Sequence, residues 1–157
     1  MQITIWIPGH PAPGGSKSAF PFKRKDGSLG VRVTDAAGKR NKDWKTVCAL
    51  RAVAVMKERS QFMLRGPLDV RFEFRLPRPK SHYHTGKQAG TLRCGSPVEH
   101  VTRPDVGKLA RAVEDALTGI VWEDDAQIVD QTATKSYIDM IKPLAGCMVT
   151  VKNLSRK

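Results

Sequence analysis

The sequence is poor in acids, aromatics, long apolar runs and cysteines, and each shortage removes a class of reading. Only 15 Asp and Glu stand against 27 Lys and Arg, a formal charge of +12. That excess calls for a polyanionic partner, because basic side chains that settle on a phosphate backbone release its condensed counterions. Aromatics make up 6% of the residues and form no aromatic-rich strand of the RNA-binding type, which argues against base stacking on RNA as the main mode. No apolar run approaches the roughly 18 residues of a membrane span. Neither a basic amphipathic surface helix nor a lipidation signal is present, so no membrane partner is expected. The opening MQITIWIPGHPAPGG lacks the basic-then-apolar order of a secretory leader, so the expected setting is intracellular. Cys48, Cys94 and Cys147 are odd in number, widely spaced and outside any CxxC pattern, which fits free thiols in a reducing compartment. Cys94, His82, His84 and His100 place zinc-type donors in one stretch, but their spacing matches no zinc module.

What is present is enough for a core: 157 residues with 40% hydrophobic content predict one domain spanning 1–157 without staples. Residues 2–7, QITIWI, alternate as a half-buried strand stopped by Pro8, and FPFKRKDGSLGVRVTD reads as a hairpin about Asp26-Gly27. Its basic tip, Lys23, Arg24 and Lys25, is a candidate phosphate contact. From Asn41 to about Arg59, Trp44, Val47, Cys48, Leu50, Ala54 and Val55 recur at helical spacing. Pro67-LDVRFEFRL-Pro77 alternates with a clean period of two and is the clearest strand. Residues 77–103, rich in Pro, His, Gly and basic side chains, lack periodicity. A loop this long is expected to be functional, here a DNA-contacting flap that orders on binding and carries Lys80, Lys87, Arg93 and Arg103. A second helix opens at Pro104-Asp105, buries Val106, Leu109, Ala110, Val113, Ala116 and Leu117, and closes at Gly119. The tail offers IVDQTATKSYI and CMVTVKNL, expected to pair antiparallel. The fold class is therefore α+β, a small mixed and largely antiparallel sheet with two main helices packed against it.

Residues 104–130 hold seven acids (Asp105, Glu114, Asp115, Glu123, Asp124, Asp125, Asp130) against Lys108 and Arg111, a net of −5, whereas the remainder carries +17. An acidic island in a basic chain suits DNA cleavage: the basic surface holds phosphates, and clustered carboxylates bind a divalent cation. On the second helix Gly107, Arg111 and Asp115 succeed one another at i+4 on one face, which allows Asp115 to pair with Arg111. Asp105 reads equally as a helix N-cap, and Asp124 and Asp125 equally as solvated loop acids.

The stretch RPDVGKLARAVEDALTGIVWEDDAQIVD resembles the signature of the RusA family of Holliday junction resolvases: an Asp-x-Asp entering a helix, a basic residue, DALT, a Trp, and DDAQ before a strand. The resemblance implies Mg²⁺-dependent (with Mn²⁺ as a substitute), paired nicking of four-way DNA junctions by a homodimer, in a lineage common in phages and prophages and hence a bacterial cytoplasm or nucleoid. Carried over by position, it assigns metal-binding acids to Asp105 and Asp125, with Asp124 as a weaker candidate. The functional basic residue falls on Arg111, where a guanidinium suits phosphate contact better than proton transfer. Lys108 replaces the usual Asn and is a further DNA contact. Gly107 replaces the second acid of Asp-x-Asp, so one ligand is missing and cleavage is expected to be impaired unless Glu114, Asp115 or Asp124 substitutes. The alternative is a non-catalytic, structure-selective DNA-binding protein.

Overall fold

The computed structural model describes residues 1–15, 17–35, 38–139, 141 and 143–155. Its central sheet has the order β1-β6-β4-β5, formed by β1 (Gln2–Pro8), β4 (Leu68–Leu76), β5 (Ile128–Tyr137) and β6 (Gly146–Asn153). β6 runs antiparallel to both β1 and β4, whereas β5 lies parallel to β4. The sheet is mixed and largely antiparallel, and it belongs to the expected α+β class. A separate hairpin of β2 (Lys17–Lys23) and β3 (Leu29–Asp35) turns at Gly27, whose φ of +83° suits a residue without Cβ.

Period-two alternation fixes which face is dry. Ile5, Val149 and Phe72 stand side by side across three strands, and all three are fully buried. The helices α1 (Gly38–Glu58) and α2 (Val106–Leu117) pack on each other, α1 on β1 and α2 on β5, and complete one hydrophobic core. α2 buries Leu109, Ala110, Ala112, Val113, Ala116 and Leu117, the stripe its sequence announces.

Two expectations are corrected. The tail strands are not a pair: β5 joins β4 in parallel while β6 lies on β4's other side, between it and β1. A parallel partner needs a crossover, and the 77–103 loop with α2 supplies it, so β5 reaches β4's free edge before β6 is made. On α1, the inward row is Trp44, Cys48, Ala52, Val55 and Met56. Val47 is 38% exposed and Leu50 67%, because the i+4 row through Trp44 faces α2 and β1 and rotates these side chains outward.

The 77–103 loop is irregular, as expected, but closed on itself rather than waiting for a partner. His84 N–H donates to Thr91, Arg93 N–H to the His82 carbonyl, and Arg78 to the Pro97 carbonyl. Tyr137 of β5 fastens it to the sheet, with His100 and His82 rings 4.5 and 5.4 Å away and the Arg78 guanidinium 4.3 Å above its ring. The zinc reading finds no support: among the described residues no three His, Cys, Asp or Glu converge. All three cysteines are free, and burial pushes the Cys48 thiol up to about 12.

Gly146 opens β6 opposite Pro8, where a Cβ would collide with the Ile7 carbonyl oxygen and lie 2.8 Å from the Trp6 ring. Gly146→Ala is therefore expected to cost about 1–3 kcal/mol as an overpacking change, read as a lower urea midpoint at unchanged slope. A midpoint equal to that of the parent chain would refute the close approach of β1 and β6.

Candidate active site

The acidic island is built around the C-terminal end of α2. After Leu117 the chain turns through Gly119 (φ +78°), whose N–H donates to the Trp122 carbonyl at 2.7 Å. That turn drives Trp122 into the core, where it is 0% exposed. A buried indole N–H must find an acceptor, and it finds the Asp125 carboxylate: Trp122 Nε1 donates to Asp125 Oδ1 at 2.9 Å. The Thr118 hydroxyl donates to the same oxygen. Both bonds land on Oδ1, so neither occupies Oδ2.

The residues beside Asp125 make its turn. Asp124 caps the short 3-10 helix Asp125–Gln127 through a bond from Ala126 N–H at 2.7 Å, and the Gln127 side chain accepts from the N–H groups of Glu123 and Asp124 at 2.8 and 3.0 Å. This reciprocal capping is anchored below by Gln127 Nε2, which donates to the carbonyls of Leu64 and Gly66. In the DDAQ run, then, Asp124 and Gln127 build the turn and Asp125 is what the turn presents.

Glu114, half-buried one turn back on α2, is the second carboxylate of this cluster. Burial raises its pKa above the ordinary 4.5; a hydrogen bond from Gln131 opposes the rise, the charges of Asp125 and Asp115 add to it, and that of Arg111 opposes it. The expected Asp115–Arg111 pair is corrected. Asp115 takes Lys45 of α1 at 2.5 Å, because α1 packs along that side of α2, and Arg111 is left exposed.

Asp105 stands at the other end of α2. It holds the N-cap position, yet its side chain makes no capping bond; the carboxylate is 61% exposed and pairs with Lys108 at 3.2 Å. Simple capping therefore does not account for it. From Asp105 to Thr118 the chain climbs thirteen residues, about 20 Å along the axis at ~1.5 Å each. Asp105 and Asp125, expected together, lie at opposite ends of one helix. Gly107 has nothing within 4 Å of where a Cβ would stand, so neither packing nor backbone conformation calls for glycine there.

The expected DNA contacts are all exposed: Lys23, Arg24 and Lys25 at the hairpin turn, Lys80, Lys87 and Arg93 on the loop, and Arg103 and Lys108 beside Asp105. The sequence reading missed Lys135. Its ammonium donates to the carbonyls of Thr102 and Pro104 at 2.6 and 2.9 Å and so tethers the segment that enters Asp105. Its only signal was a cation on the core-facing register of β5, opposite Phe74. Also missed was a cavity of about 1090 Å³ that runs from Asp105 to the loop at residues 9–13 and to α1.

Comparison with known proteins adds two findings. The model of the family described as Endodeoxyribonuclease RusA matches residues 18–144, well over half of the chain and inclusive of every acid discussed above. The Bacillus subtilis (strain 168) protein "Uncharacterized protein YqaN" is 29% identical over 86 residues, 55% of this chain and 60% of that protein. The chain thus spans about three-fifths of that relative's length.

The raised pKa of Glu114 carries a sign for stability. A carboxyl that binds its proton more tightly when folded contributes stability below its unfolded value, near 4.5, and that contribution is lost as pH rises through the folded value. In metal-free buffer Glu114→Gln, which keeps an oxygen for Gln131, should match or exceed the parent's melting temperature at pH 7, with the margin closing toward pH 4. A variant clearly less stable at pH 7 would contradict the burial argument.

Proposed function

Because the chain belongs to the RusA endodeoxyribonuclease family, we propose that it is a Mg²⁺-dependent endonuclease (Mn²⁺ substituting) that resolves four-way DNA junctions by paired nicking as a homodimer. The observation that carries this reading is Asp125: a carboxylate fixed by a core tryptophan and a threonine, beside half-buried Glu114, in a chain of charge +12. An acid so placed would repel a phosphodiester unless a cation intervenes, and an all-carboxylate donor set suits hard Mg²⁺. A bound Mg²⁺ would supply an activated water and charge stabilisation at the scissile phosphate. Asp105 and Asp125 would hold it, with Glu114 taking the place of the acid missing at 107 and Asp124 kept for the turn. Arg111, exposed midway along α2, would contact the phosphate in bidentate fashion.

The separation of Asp105 from Asp125 supports the homodimer. Metal–oxygen bonds are about 2 Å, and no pair of Asp side chains closes a gap of about 20 Å along a helix. A two-fold axis crossing α2 near Arg111 would set the Asp105 end of one copy against the Asp125 end of the other, forming two composite sites. Two sites related by symmetry are what two coordinated nicks require. The whole DNA-facing surface, from the hairpin turn to the 77–103 loop, would then be doubled as well.

Gly107 favours the second reading, a junction-binding protein that does not cut. It contributes no side-chain oxygen to a site that needs them. A Mg²⁺-dependent nicking assay on a synthetic four-way junction separates the readings. Asp125→Asn should slow nicking on the order of 100-fold, the loss of two to three kcal/mol of transition-state stabilisation, and Gly107→Asp should speed it on the order of tenfold. Undiminished nicking by Asp125→Asn would sink the enzyme reading. Equal, robust rates for the parent and Gly107→Asp would show that the site lacks nothing.

A further inference from the structure

The cavity that Asp105 lines extends away from that carboxylate to the 9–13 loop and α1. Much of its lining is apolar, with Pro11, Pro13, Pro77 and Pro104 alongside Trp44. Trp44 is 3% exposed and its indole N–H has no partner, a buried donor that the fold leaves unsatisfied. The rim is basic. Lys108 is engaged with Asp105, but Arg40 and Arg103 also line the cavity and are not ion-paired among the described residues.

A lining of prolines and a tryptophan with two guanidinium groups not ion-paired among the described residues suits a ring system that carries a phosphate. At about 1090 Å³ the cavity is large enough for a drug-sized or nucleotide-sized ligand. A stacked duplex keeps its bases paired between its two backbones, whereas a nucleotide that has left the stack can offer its base to such a lining, and unstacking is least costly where pairing is already disturbed, as at a branch point.

We propose that this cavity receives one unstacked nucleotide of the strand approaching Asp105, its base against the prolines and Trp44 and its phosphate on Arg40 and Arg103. The proposal rests on the nuclease reading and deepens it. Position along the strand is then set by which nucleotide the pocket accepts, so recognition of the branch and choice of the bond to be cut reside in one place. The 9–13 loop and the first turns of α1, outside the acidic island, become determinants of specificity.

The test uses four-way junctions with 2-aminopurine at single positions about the branch, bound by the full chain in Ca²⁺ so that no cutting intervenes. One position should brighten several-fold on saturation, as an unstacked base does. Val47 lines the cavity and is 38% exposed, so Val47→Trp fills the space without entering the core. It should leave that position at the brightness of the free junction. Phe62→Trp, at a side chain 88% exposed and outside the cavity, should keep the signal, and matching melting temperatures would establish that both variants fold. A bound junction in which no position brightens, or a Val47→Trp protein as bright as the parent, overturns the pocket while leaving the nuclease reading intact. Failure to bind any branched junction overturns both.

Discussion

The candidate site depends on one pair of hydrogen bonds, those from Trp122 and Thr118 to a single oxygen of Asp125. Trp122 is among the largest fully buried side chains, and a buried indole N–H without an acceptor is costly. The indole shares its proton between the Thr118 hydroxyl at 3.1 Å and the Asp125 carboxylate at 2.9 Å, so the core helps to hold that carboxylate in place. This ties the acid to the core: if it drifts, the indole loses one of its two acceptors, and the turn that carries it is held at its N-terminal end by the reciprocal capping of Asp124 and Gln127. The result is a preorganised carboxylate with one oxygen bonded to Trp122 and Thr118 and the other not engaged by those donors.

The rest follows from the length of α2. Twelve residues are enough to bury a stripe against the sheet and α1, and enough to hold Asp105 and Asp125 apart. A chain that needed all its carboxylates in one place would find this arrangement self-defeating. A chain that doubles itself about a two-fold axis would not, because a reversed copy brings the acid at one end of α2 beside the acid at the other end, where a cation could offset their repulsion. The charge distribution points the same way. The acidic stretch of residues 104–130, within a body carrying +17 elsewhere, confines repulsion of DNA to the segments that bear the candidate ligands.

Much of this was legible beforehand, and the failures have physical causes. The alternating run at Leu68–Leu76, the apolar stripe of α2 and the Asp26-Gly27 turn were readable because period and turn chemistry are local. The pairing of β5 was not, since two strands joined by a short Pro-Gly connection are usually neighbours, and only the crossover through α2 shows that β4's edge was taken first. The outward rotation of Val47 and Leu50 was hidden because α1 has apolar residues on more than one side. The residues of the candidate site could be read off as a list, but how they pair and how far apart they stand could not. Asp115 belongs to Lys45 rather than Arg111, and Lys135, the cavity and the separation of the two ends of α2 arise only when distant segments meet.

The account stands or falls on whether Asp105 and Asp125 act from different protomers. Asp105→Asn and Asp125→Asn chains, each in a Gly107→Asp background so that cutting is measurable, are to be mixed, allowed to exchange subunits and assayed for Mg²⁺-dependent nicking of a four-way junction. With composite sites each parent homodimer is inert, and the mixed dimer regains one site bearing both carboxylates, so the mixture cuts a single strand of the junction. A mixture as inert as its two components would place both carboxylates in one protomer's site and contradict the account.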